Sequence, residues 1–212
     1  MLFVPPRLLP DHVFPAPGSH LCGLAWDGKY LWHSDGDTER IYRIDPASGR
    51  VSGEVPCPAV RTDLAHDGTY LWQIAGHPKR IVVLDPKDGM VVRELPLGQD
   101  GENACALHVN AGHYWIGWKN EATIVEHDRA SHQALATYPA MARIAGLTMR
   151  ADILWFTDFE EGLLVGVERP SGLEIARFQL EGNPTGLCWD GSRFWYSDYG
   201  GRRICSVQLT QD

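Results

Sequence analysis

GLAWDGKYLWHSDGDTERIYRIDP, residues 23–46, decides the fold because it returns four more times along the chain. The five copies open as GLAWDGKYLW (23–32), DLAHDGTYLW (63–72), ALHVNAGHYW (106–115), GLTMRADILW (146–155) and GLCWDGSRFW (186–195). The closing tryptophans, Trp32, Trp72, Trp115, Trp155 and Trp195, are spaced 40, 43, 40 and 40 residues apart. A second marker, Ile41, Ile81, Ile124, Leu164 and Ile204, steps by the same intervals. Two markers in one period define a structural repeat.

Each copy alternates short apolar runs with turn chemistry. A run ends at an Asp-Gly-type pair, a second run ends at the tryptophan segment, and a third (RIYRIDP in the first copy) ends in a Pro-x-x-Gly-type turn before a fourth. Asp, Gly and Pro at those positions are what tight hairpins require. No segment carries a helical period. Four strands per repeat of roughly 40 residues is the signature of a propeller blade. The chain therefore reads as all-β, a single five-bladed β-propeller over residues 1–212. Its blade repeats cover about 20–56, 60–96, 103–139, 143–180 and 183–209. The fifth copy ends after its third strand, so residues 8–15, LLPDHVFP, are expected to supply the fourth and lock the ring. Closure removes the sheet edges on which other chains could pair.

In such a ring the loops entering the first strand and those joining the second to the third meet at one mouth of the central channel. Short, similar turns occupy the opposite face. The variable loops are therefore where specificity is expected. Just before the first strand the aligned positions are His20, Val60, Asn103, Arg143 and Asn183, with Arg61 adjacent. Asp63 stands where the other copies have Gly or Ala. Three residues past the tryptophan come Asp35, Ala75, Trp118, Asp158 and Asp198, followed in the last copy by Tyr199.

These residues suit acid/base chemistry at the mouth. His20 is the candidate proton carrier, with Asp63 and Asp35 to orient it or to hold a metal. Arg61 and Arg143 could clamp a carboxylate or phosphate. Asn103, Asn183, Asp158 and Asp198 could contribute polar contacts, and Trp118 and Tyr199 an apolar wall. A structural reading stands beside this one. Asp27, Asp67 and Asp190 belong to hairpin turns, and a carboxylate recurring at Asp35, Asp158 and Asp198 could cap its own loop. The cysteines read as small buried residues. Neither HExxH nor a phosphate-binding P-loop is present.

The expected function is a small enzyme, a lyase, cyclase or hydrolase acting on a small polar or peptidic molecule. A divalent metal such as Ca2+ or Mg2+ in the channel could assist it. The alternative is a non-catalytic module that binds a ligand or protein on the same face. A net charge of −8 argues against nucleic-acid binding and suits a neutral or cationic partner. No apolar run approaches the ~20 residues of a membrane span. Pro5, Pro6 and Pro10 interrupt the N-terminal apolar stretch, which does not read as a targeting segment. With five cysteines and no CxxC pair, the expectation is a cytoplasmic monomer with free thiols, while a signal removed upstream stays open.

At the level of the repeat, GLAWDGKYLWHSDGDTERIYRIDPASGRV resembles the blades of the streptogramin B (virginiamycin B) lyase and NHL-type propellers over nearly all of residues 18–209. That resemblance implies a propeller and, in the lyase, metal-assisted chemistry in seven blades. There a His precedes one blade's first strand and a carboxylate follows a second strand; His20 and the Asp35, Asp158 and Asp198 set fall at comparable positions. In blade number the chain is similar to the five-bladed plant-type glutaminyl cyclases, although SHLCGL (19–24) stands where their F-T-Q/E-G-L segment is expected. The Ca2+-dependent gluconolactonase and diisopropylfluorophosphatase propellers imply Asn103, Asn183 and Asp63 as the nearest equivalents of their metal ligands.

Overall fold

A computed structural model describes residues 4–141 and 143–209. Twenty strands form five separate four-stranded antiparallel sheets. Blade 1 comprises β2 (Leu21–Trp26), β3 (Leu31–Asp35), β4 (Arg40–Ile44) and β5 (Val51–Pro56). Blade 2 comprises β6 (Val60–His66), β7 (Leu71–Ala75), β8 (Arg80–Leu84) and β9 (Val91–Pro96). Blade 3 comprises β10 (Ala104–Val109), β11 (His113–Trp118), β12 (Thr123–Asp128) and β13 (Ala134–Pro139). Blade 4 comprises β14 (Ile144–Arg150), β15 (Ile153–Asp158), β16 (Leu163–Glu168) and β17 (Glu174–Gln179). Blade 5 comprises β18 (Pro184–Trp189), β19 (Phe194–Asp198), β20 (Arg203–Val207) and, from the other end of the chain, β1 (His12–Pro15). The three extra residues that lengthen the second interval to 43 fall in the segment before blade 3, which folds there as a short 3-10 helix, Gln99–Asn103.

The closing strand is where the sequence placed it, but shorter. β1 pairs with β20 from His12↔Ser206 to Pro15↔Arg203. Residues before it run along blade 4 instead: Leu8 N–H donates to the Gln179 carbonyl at 2.9 Å, and Gln179 N–H to that of Pro6 at 2.8 Å. Pro10, which has no N–H to give a ladder, separates the two attachments. The N-terminal segment thus ties blade 5 shut and fastens it to blade 4.

The hairpin aspartates do more than turn the chain. Asp27 Oδ1 accepts the N–H groups of Lys29 and Tyr30, and its Oδ2 accepts the indole N–H of Trp32 at 2.7 Å. Asp67 with Trp72 and Asp190 with Trp195 repeat the arrangement. Each tryptophan is thereby fixed in the apolar layer between blades, where all five are almost fully buried. In blades 3 and 4 the aspartate's position holds Asn110 and Arg150, and the buried indole nitrogens of Trp115 and Trp155 have no partner among the described residues.

The innermost strands β2, β6, β10, β14 and β18 ring the axis, and the register of each shifts by a bulge near its start. Crowding there explains the glycines. A Cβ on Gly23 would lie 2.1 Å from Leu64 N, and one on Gly186 would lie 2.3 Å from Leu24 N.

Candidate functional site

At the equivalent corner of every blade one backbone bond frames the mouth. The N–H just past the second strand donates to a carbonyl just before the first. Gly36 donates to His20, Gly76 to Ala59, Lys119 to Asn103, Phe159 to Arg143 and Tyr199 to Asn183, at 2.8–3.1 Å. These bonds hold the loops entering the ring against the corners, so side chains from both project over the channel.

A pocket of about 310 Å³ opens there. Four residues expected from the sequence line it: His20, Arg61, Arg143 and Tyr199. Three that the sequence reading did not single out join them, Lys79, Lys119 and Phe159. No carboxylate is part of the lining. A chain of net charge −8 therefore gathers two arginines, two lysines and a histidine at its axis, a lining that suits an anion rather than the neutral or cationic partner expected from the overall charge.

Lys79 is the most constrained of these cations. Only 7% exposed, it reaches from blade 2 to blade 3, where its ammonium donates to the carbonyls of Glu102 and Ala104 at 2.9 and 2.8 Å. Burial lowers its pKa, and the neighbouring positive charge of Lys119 lowers it further. Arg61 lies 3.8 Å from Glu102, and Arg143 is paired with Glu160 at 2.8 Å on the rim. Lys119 has no ion-pair partner among the described residues. Lys79 and Lys119, neither in an ion pair among the described residues, repel one another at a cost in free energy that a bound anion would offset, which is a mark of functional sites.

Aromatic rings occupy the other side. Phe159 and Tyr199 meet edge to face at 5.9 Å, and Tyr199 meets the His20 ring edge to face at 5.7 Å. His20 Nδ1 lies 3.9 Å from Asp37, whose other oxygen accepts the Ser19 hydroxyl at 2.6 Å.

The remaining expected residues are elsewhere. Asp63 is fully buried below the mouth. Its carboxylate accepts the N–H of Leu64 at 2.9 Å, of Leu107 at 2.9 Å and of Leu147 at 3.1 Å, and also that of Leu24. Four of the five innermost strands thus end a hydrogen bond on one side chain. Burial pushes its pKa well up against the pull of those amides. Asp35 is fully buried too, accepting the N–H of His20 at 2.7 Å and of Asp37 and Thr38 at 3.1 and 2.9 Å. Burial acts to raise its pKa, but the Thr38 N–H and hydroxyl and the His20 N–H outweigh it, and the carboxyl is held below the usual range. Asp198 caps its corner through the N–H groups of Asn183 and Gly201 and the Arg203 guanidinium, and Asp158 through the N–H of Glu161.

Asn183 also donates from its side chain to the Phe159 carbonyl at 3.4 Å, and the Asn103 carbonyl accepts from Lys119. Both asparagines stand behind the lining rather than in it. Trp118 packs against the apolar cluster between blades 2 and 3. Cys22 and Cys105 line the pocket, but burial pushes both thiols up to about 12, so neither is a thiolate nucleophile. All five cysteines are buried and free.

The donor set does not fit the divalent metal expected in the channel. Ca2+ or Mg2+ requires a cage of oxygens. At the axis the Asp63 oxygens are met by N–H groups, and the mouth above is lined with cations. Among the described residues no group of three or more His, Cys, Asp and Glu could hold a metal ion. Among the described residues no helix is long and apolar enough to cross a membrane.

No protein-family model matches the sequence, and no curated protein matches it. Solved structures do. A glutaminyl cyclase from Myxococcus xanthus aligns over 97% of this chain and 98% of its own, with a TM-score of 0.80 and 12% identity. A streptogramin B lyase aligns over 95% and 88%, with a TM-score of 0.59 and 15% identity. A catalytically inactive virginiamycin B lyase from Staphylococcus aureus, solved with quinupristin, aligns over 93% and 69%, with a TM-score of 0.54 and 17% identity. The chain is a five-bladed β-propeller similar in fold to these cyclase and lyase structures.

Proposed function

We propose that the protein takes a small organic anion into the mouth of its channel and acts on it by proton transfer through His20. The observation that carries this reading is the lining itself: Arg61, Lys79, Lys119 and Arg143 converge on one pocket with no carboxylate among the lining residues. Lyase, cyclase and hydrolase steps each move a proton between atoms of a bound molecule, which histidine does well near neutral pH. Cations already fixed in place would stabilise negative charge developing on that molecule. Asp37 takes the orienting part first considered for Asp35 and Asp63, whose oxygens are engaged by backbone amides. The similar cyclase and lyase structures are consistent with a scaffold that supports such chemistry, but function rests on the site.

The second reading, a non-catalytic anion-binding propeller, draws on one observation: His20 and Asp37 are 3.9 Å apart and both well exposed, a loose pair for catalysis. One experiment separates the two. The protein is incubated with a mixture of small carboxylates and phosphate esters, and the mixture is followed by mass spectrometry. The enzyme reading expects conversion of an anionic component by the wild type and none by His20→Asn. Binding of an anion without conversion by either protein selects the second reading, and no binding at all refutes both.

A further inference from the structure

The lining is not evenly mixed around the ring. Blades follow one another in order, with the innermost strand of each packed on the next. Arg61 and Lys79 belong to blade 2, Lys119 to blade 3 and Arg143 to the start of blade 4. Phe159 closes the corner of blade 4, Tyr199 that of blade 5, and His20 enters blade 1. One half of the mouth is therefore cationic and the other half is an unbroken aromatic run, Phe159 to Tyr199 to His20, with edge-to-face contacts of 5.9 and 5.7 Å.

Resting on the anion-binding reading above, we infer that the ligand is a planar, ring-bearing acid: its anionic group lies against Lys79 and Lys119, and its ring lies against Tyr199 and Phe159. The charged half alone would accept any small anion. The aromatic half has a different chemical preference. Its rings offer apolar area and quadrupoles that favour another ring over a saturated chain of equal size. Both halves are held in place before a ligand arrives. Lys79 is anchored to two carbonyls, and the backbones of Phe159 and Tyr199 are fixed by their bonds to Arg143 and Asn183. Two preformed walls reduce the ordering cost of binding a rigid ligand. A pocket of about 310 Å³ matches one ring with an acidic substituent.

Phenyl phosphate and methyl phosphate, monoesters of similar charge, are the probes for calorimetric titration. The wild type should bind the phenyl ester about tenfold more tightly, a difference of about 1.4 kcal/mol. Tyr199→Leu and Phe159→Leu should each reduce that preference while leaving methyl phosphate affinity nearly unchanged, and Tyr199→Phe, which keeps the ring, should retain it. Equal affinities for the two esters in the wild type would overturn the ring subsite and leave the anion reading standing. Failure of both esters to bind would overturn the anion reading and, with it, this inference.

Discussion

The carboxylate of Asp63, in the second blade, accepts the backbone N–H of Leu147, in the fourth, at 3.1 Å. With Leu24, Leu64 and Leu107 donating as well, one side chain clasps four blades at the axis of the ring. Asp63→Ala leaves those N–H groups buried without an acceptor, each costing about 1–3 kcal/mol. A loss of at least ~3 kcal/mol in urea unfolding is expected, and a loss below ~1 kcal/mol would show that the clasp is dispensable. Asp63→Asn should also destabilise, because its amide would present a donor to donors.

The hairpin pairs predict effects of both signs. Asp27→Ala removes the acceptor for Lys29 N–H, Tyr30 N–H and the Trp32 indole, and should lower stability by about 1–2 kcal/mol. Asn110 already accepts the N–H groups of Gly112 and His113, while the indole of Trp115 has no partner among the described residues. Asn110→Asp supplies the second oxygen that blades 1, 2 and 5 have at this place. It should raise stability by about 1 kcal/mol, read as an upward shift in melting temperature. An unchanged or lowered melting temperature contradicts the pairing rule.

The pH dependence should carry the mark of His33. This ring lies fully buried between blades 1 and 5, with Nδ1 3.2 Å from the Gly23 carbonyl oxygen, and burial pushes its pKa down to about 4 despite the nearby Asp35 charge. The unfolded chain takes up this proton near pH 6.5, and the folded chain resists it until about 4. The stability contribution is therefore complete above 6.5, declines as pH falls and is lost by about 4, at roughly 1.4 kcal/mol per pH unit across the window. His33→Gln, which copies Gln73 at the equivalent place in blade 2, should flatten urea midpoints between pH 7 and 4.5 relative to wild type. Parallel pH profiles for the two proteins would refute the assignment.

Closure by β1 predicts that cutting away residues 1–15 exposes the edge of β20 and frees blade 4 from the segment along Gln179. The truncated chain should melt at least ~5 °C lower and associate on heating, since an unpaired edge recruits other chains. Retained melting behaviour in a monomer would mean that the ring closes without the strand.

Much of this was legible in the sequence, because a ring of equal blades repeats its spacing, its turns and its tryptophans, and repetition survives divergence of every other position. The site was legible only in part. His20, Arg61 and Arg143 were singled out in the sequence and line the pocket, because positions around the start of each first strand project over the mouth. At the opposite corner the column read was Asp35, Ala75, Trp118, Asp158 and Asp198. Its three carboxylates turn inward to cap their loops. The next column, Gly36, Gly76, Lys119, Phe159 and Tyr199, supplies three lining residues, of which the sequence had pointed only to Tyr199. Neighbouring residues on a strand face opposite ways, so a displacement of one position exchanges scaffold for site. Lys79 stands just before the third strand in a column, Glu39, Lys79, Ala122, Gly162 and Arg202, that shares no residue type. It follows Pro78 in a four-residue turn that every blade has, and only its reach into blade 3 brings it to the pocket.

The central claim is that the mouth binds an anion through its converged cations, and titration with inorganic phosphate in the wild type and in Lys119→Ala tests it most directly. Lys119 is the informative position, since among the described residues it takes no part in an ion pair and its loss leaves the anchoring of Lys79 intact. Saturable binding of one phosphate per chain, weakened about tenfold or more by the substitution and by added salt, is the predicted result. Binding unaffected by Lys119→Ala, or no saturable binding in the wild type, would contradict the account.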